Sequence, residues 1–174
     1  MTKEKKKIYR EAEGAAKPEM NATEALTLAI YNEQSAFDFY NDLSQIIQNA
    51  SGKEKFKFLA SDEKRHREIL EEYYKKINHQ PFSFDSSKVK RIKVEVRDNT
   101  SASEALDIGI KAEKEAYTFY HNSAQSSTDP EAKKMFLMLA EQEDRHFNLL
   151  LAERQALIDQ FYWFSLDTPG IMEH

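Results

Sequence analysis

The sequence predicts an all-α protein: a four-helix bundle made of two duplicated antiparallel hairpins joined by a long crossover. Three observations predict it. First, the chain repeats itself at an offset of eighty residues: Ala22, Glu24, Ala25, Leu26, Ile30, Ala36, Phe39 and Tyr40 recur as Ala102, Glu104, Ala105, Leu106, Ile110, Ala116, Phe119 and Tyr120. Phe56, Leu59, Ala60, Arg65 and Leu70 recur likewise as Phe136, Leu139, Ala140, Arg145 and Leu150. Second, the apolar residues of each segment follow helical periodicity. Third, only four Gly and four Pro occur in 174 residues, so long helices meet few breakers.

The elements follow in order. Helix one opens at a capping box of Asn21 and Glu24, and its seam runs through Leu26, Ile30, Glu33, Phe37 and Tyr40. Helix two is expected to open at Ser51 with Glu54, and its seam reads Phe56, Leu59, Glu63, His66, Leu70 and Tyr73. Helix three repeats the first pattern, with Ser101 and Glu104 as its box and Leu106, Ile110, Glu113, Tyr117 and Tyr120 as its seam. Helix four starts at Asp129 and Pro130, an N-cap followed by a first-turn proline, and carries Phe136, Leu139, Glu143, His146 and Leu150. Short turns at 49–52 and 126–129 make each pair an antiparallel hairpin. The segment from Asn78 to Thr100 must then cross the length of the bundle. In it Ile92, Val94 and Val96 alternate with Lys93, Glu95 and Arg97, a strand-like pattern expected to form an extended strap. The alternative to a plain strap, which is the favoured reading, is that its basic residues Lys88, Lys90, Arg91, Lys93 and Arg97 dock an acidic redox partner.

Six seam residues are polar: Glu33, Glu63, His66, Glu113, Glu143 and His146. An ionised carboxylate in a bundle core costs several kcal/mol unless something compensates it. No Lys or Arg lies in the four seams. Two divalent cations would balance four Glu, with the histidines neutral. Residues three apart on a helix differ by about 60° in direction, so Glu63 with His66, and Glu143 with His146, can each approach one ion. Glu33 and Glu113, from the other two helices, can bridge or cap the pair. The set is hard and oxygen-rich, suited to two iron ions, with manganese or zinc as the other candidates. Tyr40 and Tyr120 lie seven residues after a candidate ligand on the same helix face. They either hydrogen-bond the carboxylates or take part in redox chemistry, or they are core aromatics. Arg65 and Arg145 are expected to be solvated, and His79, His121 and His174 to be surface residues.

These motifs resemble the ferritin-like superfamily, and within it the rubrerythrin-like branch. The resemblance is carried by Glu33 with Phe39-Tyr40, by Leu59-Ala60-x-x-Glu63-x-x-His66, and by their copies at Glu113 with Phe119-Tyr120 and at Leu139-Ala140-x-x-Glu143-x-x-His146. It spans about Asn21 to Ala156. A Glu from each of two helices and a Glu-x-x-His from each of the other two is the di-iron or di-manganese carboxylate arrangement of such bundles. The resemblance implies a di-iron oxidoreductase that reduces hydrogen peroxide or oxygen. Rubrerythrins append a rubredoxin-type domain with Cys-bound iron, whereas this chain has no Cys, so its electrons would come from an external, rubredoxin-like donor. They also carry a further Glu where Ala116 stands here. A ferroxidase of bacterioferritin type is the alternative, although Lys64 replaces the haem-binding Met expected after the second-helix Glu. A non-redox metal-binding protein is the third.

Composition agrees with one bundle domain, expected over residues 21–165, between a Lys/Glu-rich tail at 1–20 and a short tail at 166–174. A net charge of −5 argues against a nucleic-acid partner, and the absence of Cys excludes a disulfide framework and thiolate metal sites. No apolar run approaches a membrane span, so a cytoplasmic protein is expected. Phe161 to Phe164 form an apolar cluster that either caps the bundle or contributes to a homodimer.

Overall fold

The computed structural model describes residues 21–47, 50–93 and 99–158. Four long helices account for most of them: α1 (Ala22–Ile46), α2 (Ala50–Asn78), α3 (Asn99–Ser126) and α4 (Pro130–Ile158). α1 packs along α2 and α3 along α4, so each repeat is an antiparallel hairpin. Between the hairpins, α2 and α4 are in contact. No strand occurs among the described residues.

The predicted caps are met at two of the four helix starts. At α1 the Asn21 side chain accepts from the Glu24 N–H at 2.9 Å while Glu24 accepts from the Asn21 N–H at 3.0 Å, the reciprocal box. At α4 the Asp129 carboxylate accepts from the N–H of Glu131 and of Ala132, and Pro130 opens the helix. The other two differ. α2 begins at Ala50 and α3 at Asn99, so Ser51 and Ser101 stand inside their helices instead of capping them. Polar residues are dense at both starts, and a Ser-x-x-Glu pattern survives a shift of one or two residues.

Apolar side chains form two cores, one at each end of the bundle. Leu43, Phe56, Leu59, Leu106 and Leu150 belong to one, and Leu26, Ile30, Leu70, Phe136 and Leu139 to the other. The repeat extends to ring geometry. Tyr40 stacks on Phe56 and Tyr120 on Phe136, each pair with centroids 6.1 Å apart. Between the two cores lies a buried polar layer.

The crossover is a strap, but an irregular one. Phe82 packs edge-on against Tyr31 and Tyr74, Asp85 caps a 3-10 turn at Ser86–Lys88, and Ile92 packs on the core. Ser35 Oγ donates to the carbonyl of Lys90, and Arg91 pairs with Asp38 at 3.5 Å. The expected strand pattern gives no strand at Ile92 and Lys93, since an alternating segment without a partner strand has nowhere to place its backbone hydrogen bonds. Val94, Val96 and Arg97 lie outside the described residues, as do the tails at 1–20 and 166–174, Phe161 to Phe164, and His174. His79 follows α2 at φ 56°, the left-handed conformation in which many helices terminate.

Candidate metal centre

All six predicted residues meet in the polar layer: Glu33, Glu63, His66, Glu113, Glu143 and His146 are each at most 3% exposed. They fall into two overlapping donor sets, Glu33–Glu63–His66–Glu143 and Glu63–Glu113–Glu143–His146. Within each set, one atom per residue lies within 4.8 Å of the others. Donors about 2.0–2.2 Å from a shared ion lie up to about 4.4 Å apart, so each set is close to the size of a coordination shell.

The halves match to within a tenth of an ångström. His66 Nδ1 lies 2.9 Å from Glu143, 3.4 Å from Glu63 and 3.7 Å from Glu33. His146 Nδ1 lies 2.9 Å from Glu63, 3.5 Å from Glu143 and 3.6 Å from Glu113. Glu63 turns Oε1 to His146 and Oε2 to His66, and Glu143 does the reverse. Each of these two carboxylates therefore spans both halves of the layer, whereas Glu33 and Glu113 each face the histidine of one half. Helical periodicity had left those roles open.

Two observations show that the residues fit a pair of ions. Glu33 Oε2, Glu63 Oε1, both oxygens of Glu143 and both histidine Nδ1 atoms are buried with no hydrogen-bond partner. Orphaned buried polar atoms are rare, and here they converge on the same space. The outward nitrogens, by contrast, are satisfied: His66 Nε2 meets Gln142 Oε1 at 2.7 Å, and His146 Nε2 meets Asp62 Oδ2 at 3.2 Å. With Nε2–H donating outward, each neutral imidazole turns an Nδ1 lone pair into the cluster.

Protons stand in when no ion is bound. Burial, then the charges of Glu143 and Glu63, raises Glu33 well above the ordinary glutamate range; burial, then Glu63 and Glu143, does the same to Glu113. For Glu63 and Glu143 burial also pushes upward, but the adjacent histidines outweigh it and hold both low. Burial pushes the imidazoles down, and their carboxylate neighbours outweigh it and raise both strongly. Without ions, the layer thus favours protons on Glu33, Glu113 and the two imidazoles and disfavours them on Glu63 and Glu143.

Tyr40 donates its hydroxyl to Glu113, and Tyr120 donates to Glu33, each across to the other hairpin. Burial, followed by the adjacent carboxylate, raises both phenols well above their ordinary range, so they stay protonated as donors. Their sequence position allowed this contact or plain core packing; they do both.

Three participants escaped sequence reading. Asp62 and Gln142 each precede a candidate ligand Glu and are themselves repeat partners, but a polar residue at a helix surface carries no signal of its own. Arg65, expected to be solvated, donates to Gln142 Oε1 at 2.8 Å and pairs with Asp62 at 3.0 Å while remaining 55% exposed. Arg145 matches the expectation better, pairing at 3.5 Å with Glu141 of its own helix. A cavity of about 260 Å³ reaches the layer from the opposite side, lined by Glu33, Glu113, Ala36, Ala116, Phe39 and Phe119 among others, with Lys90 and Ile92 of the strap at its wall.

A duplicated helical hairpin enclosing a buried glutamate–histidine cluster defines a ferritin-like four-helix protein. The chain belongs to the rubrerythrin family, whose family model matches residues 24–154. A hypothetical protein from Pyrococcus furiosus superposes with a TM-score of 0.72 at 25% identity, covering 87% of this chain and 96% of its own. A Thermotoga maritima protein described as a ferritin-like diiron-carboxylate protein superposes at 0.60 with 26% identity, covering 80% and 98%. A manganese catalase from Anabaena is similar in fold, with a TM-score of 0.60 and 17% identity over 93% of this chain and 83% of its own. No curated protein matches the chain. No helix among the described residues is long and apolar enough to cross a membrane.

Proposed function

We propose that this protein holds two iron ions between Glu33, Glu63, His66, Glu113, Glu143 and His146 and reduces hydrogen peroxide to water with electrons from an external donor. The observation that carries this reading is the pair of overlapping donor sets, in which Glu63 and Glu143 each offer one oxygen to each half. Bound iron supplies the two electrons that each peroxide needs, two protons being taken up as two waters form. The residues do the rest. Glu63 and Glu143 hold the ions as a pair, Tyr40 and Tyr120 fix the terminal carboxylates, and the two apolar cores exclude bulk water from the layer. The cavity beside Ala36 and Ala116 provides the entry for a small oxidant on the glutamate side.

Because the chain contains no Cys-bound iron, the purified ferrous protein should oxidise once on adding peroxide and then stop. Turnover should resume only with a donor such as a rubredoxin-like protein. Metal analysis with stopped-flow absorption of the iron-loaded protein tests this. Glu113→Ala should remove the fast oxidation and leave the helices formed. A second reading follows from the hard donor set, which suits manganese equally, and from the likeness in fold to a manganese catalase. Oxygen evolution from peroxide by manganese-loaded protein without a donor would favour it, and steady uptake of many irons per subunit would favour a ferroxidase. The same proposal takes the working form to be a cytoplasmic homodimer, which light scattering tests.

A further inference from the structure

The two histidines are held by different chemistry. His146 Nε2 faces a carboxylate, Asp62, which can only accept, so when the ring gives up one proton to bind an ion the proton on Nε2 stays and Nδ1 is freed. His66 Nε2 faces Gln142, an amide that presents either an acceptor oxygen or a donor NH2 depending on how it is turned. A turned amide would donate to Nε2 once the ring gives up one proton, leaving the remaining proton on Nδ1, where it blocks an ion. Arg65 prevents this. Its Nη2 donates to the same Gln142 Oε1, 2.8 Å away, and a guanidinium cannot accept from an NH2 group. The repeat does not reproduce the device, since Arg145 turns to Glu141.

We infer that Arg65 is a positioning residue for one of the two metal sites: through Gln142 it sets the tautomer of His66, while the His146 site, backed by Asp62, does not depend on it. This rests on the two-ion reading above. The two sites are accordingly unequal, and the His146 site fills first. Asp62 also pairs with Arg65 but remains an acceptor without it.

Cobalt(II) titration of the metal-free full-length protein, followed by absorption and calorimetry, tests the inference. The unaltered protein should take two ions in two resolved steps. Arg65→Met, at a half-exposed position where folding should persist, should weaken the second step by about 10–100-fold and leave the first unchanged. Arg65→Lys, which still donates to the amide oxygen, should recover most of the loss. In a Gln142→Glu background no turning is possible, so Arg65→Met should lose its effect. Equal weakening of both steps by Arg65→Met would overturn the inference, as would an undiminished effect in the Gln142→Glu background. Binding of fewer than two ions by the unaltered protein would instead overturn the two-ion reading, and the inference with it.

Discussion

The two hairpins of this bundle agree closely at the centre and part at its rim. Glu33, Glu63 and His66 superimpose functionally on Glu113, Glu143 and His146, with matching imidazole–carboxylate distances and tyrosines that cross in both directions. One residue before Glu63 and Glu143 the match fails: Asp62 supports one histidine and Gln142 the other. The interior is under joint constraint, because four buried carboxylates must be balanced together and a change in one raises the cost of the rest. A partly exposed residue pays no such penalty and is free to diverge. The duplicated part of the site is thus its charge balance, and its asymmetry lies in the surrounding hydrogen bonds.

The largest effects should come from the carboxylates and should divide by geometry, not by hairpin. Glu63→Ala and Glu143→Ala, which remove a donor from both sets, should abolish binding of the ion pair; Glu33→Ala and Glu113→Ala should each cost one ion. Metal content after dialysis checks this, and a division of the four by hairpin would break the comparison.

Core truncations come next. Leu59 and Leu139 are repeat partners, both fully buried, so Leu59→Ala and Leu139→Ala should each cost about 2–5 kcal/mol and by similar amounts in chemical denaturation. Unequal costs would show that one end of the bundle is packed more tightly than the other.

The proton content of the layer makes a pH prediction for both halves at once. Glu33 and Glu113 have folded pKa values raised above 4.5, so the stability they contribute without metal is present below that value and lost as pH rises through the folded values. His66 and His146 are raised above 6.5, and their contribution is lost in the same direction at higher pH. Glu63 and Glu143 are lowered, so theirs is present above 4.5 and lost only as pH falls through the lowered values. Bound ions would displace protons from the raised groups, so metal affinity should rise with pH. Thermal melts from about pH 5 to about pH 8 should show the metal-free protein losing stability and the increment from added metal growing. A constant increment would contradict the proton assignment.

The smallest effects should appear at the helix ends. Asn21→Ala and Asp129→Ala remove side chains that accept from free backbone N–H groups, one in each hairpin, and should each cost about 1 kcal/mol. Ser51→Ala and Ser101→Ala, inside their helices, should cost less than either, which thermal melts of the four variants would rank.

Much of this protein was legible in its residues alone. The eighty-residue repeat and the four-three spacing of Leu26, Ile30, Glu33 and Tyr40 determine helices with one buried stripe, because a 3.6-residue period converts spacing directly into direction. The same spacing places six polar groups in that stripe and so demands a common solution to their charge. The side-chain chemistry of Asn21 and Asp129 marks two helix starts for equally local reasons. What lies across a helix–helix gap depends on packing. Periodicity says that Glu63 faces inward, but not that its two oxygens serve two different histidines. It places Tyr40 on the seam of α1, but not against Glu113 of α3. It is silent on Arg65, whose partner is 77 residues away on another helix. Direction about a helix axis is a local property of the chain, whereas the partner met in that direction depends on how the helices pack.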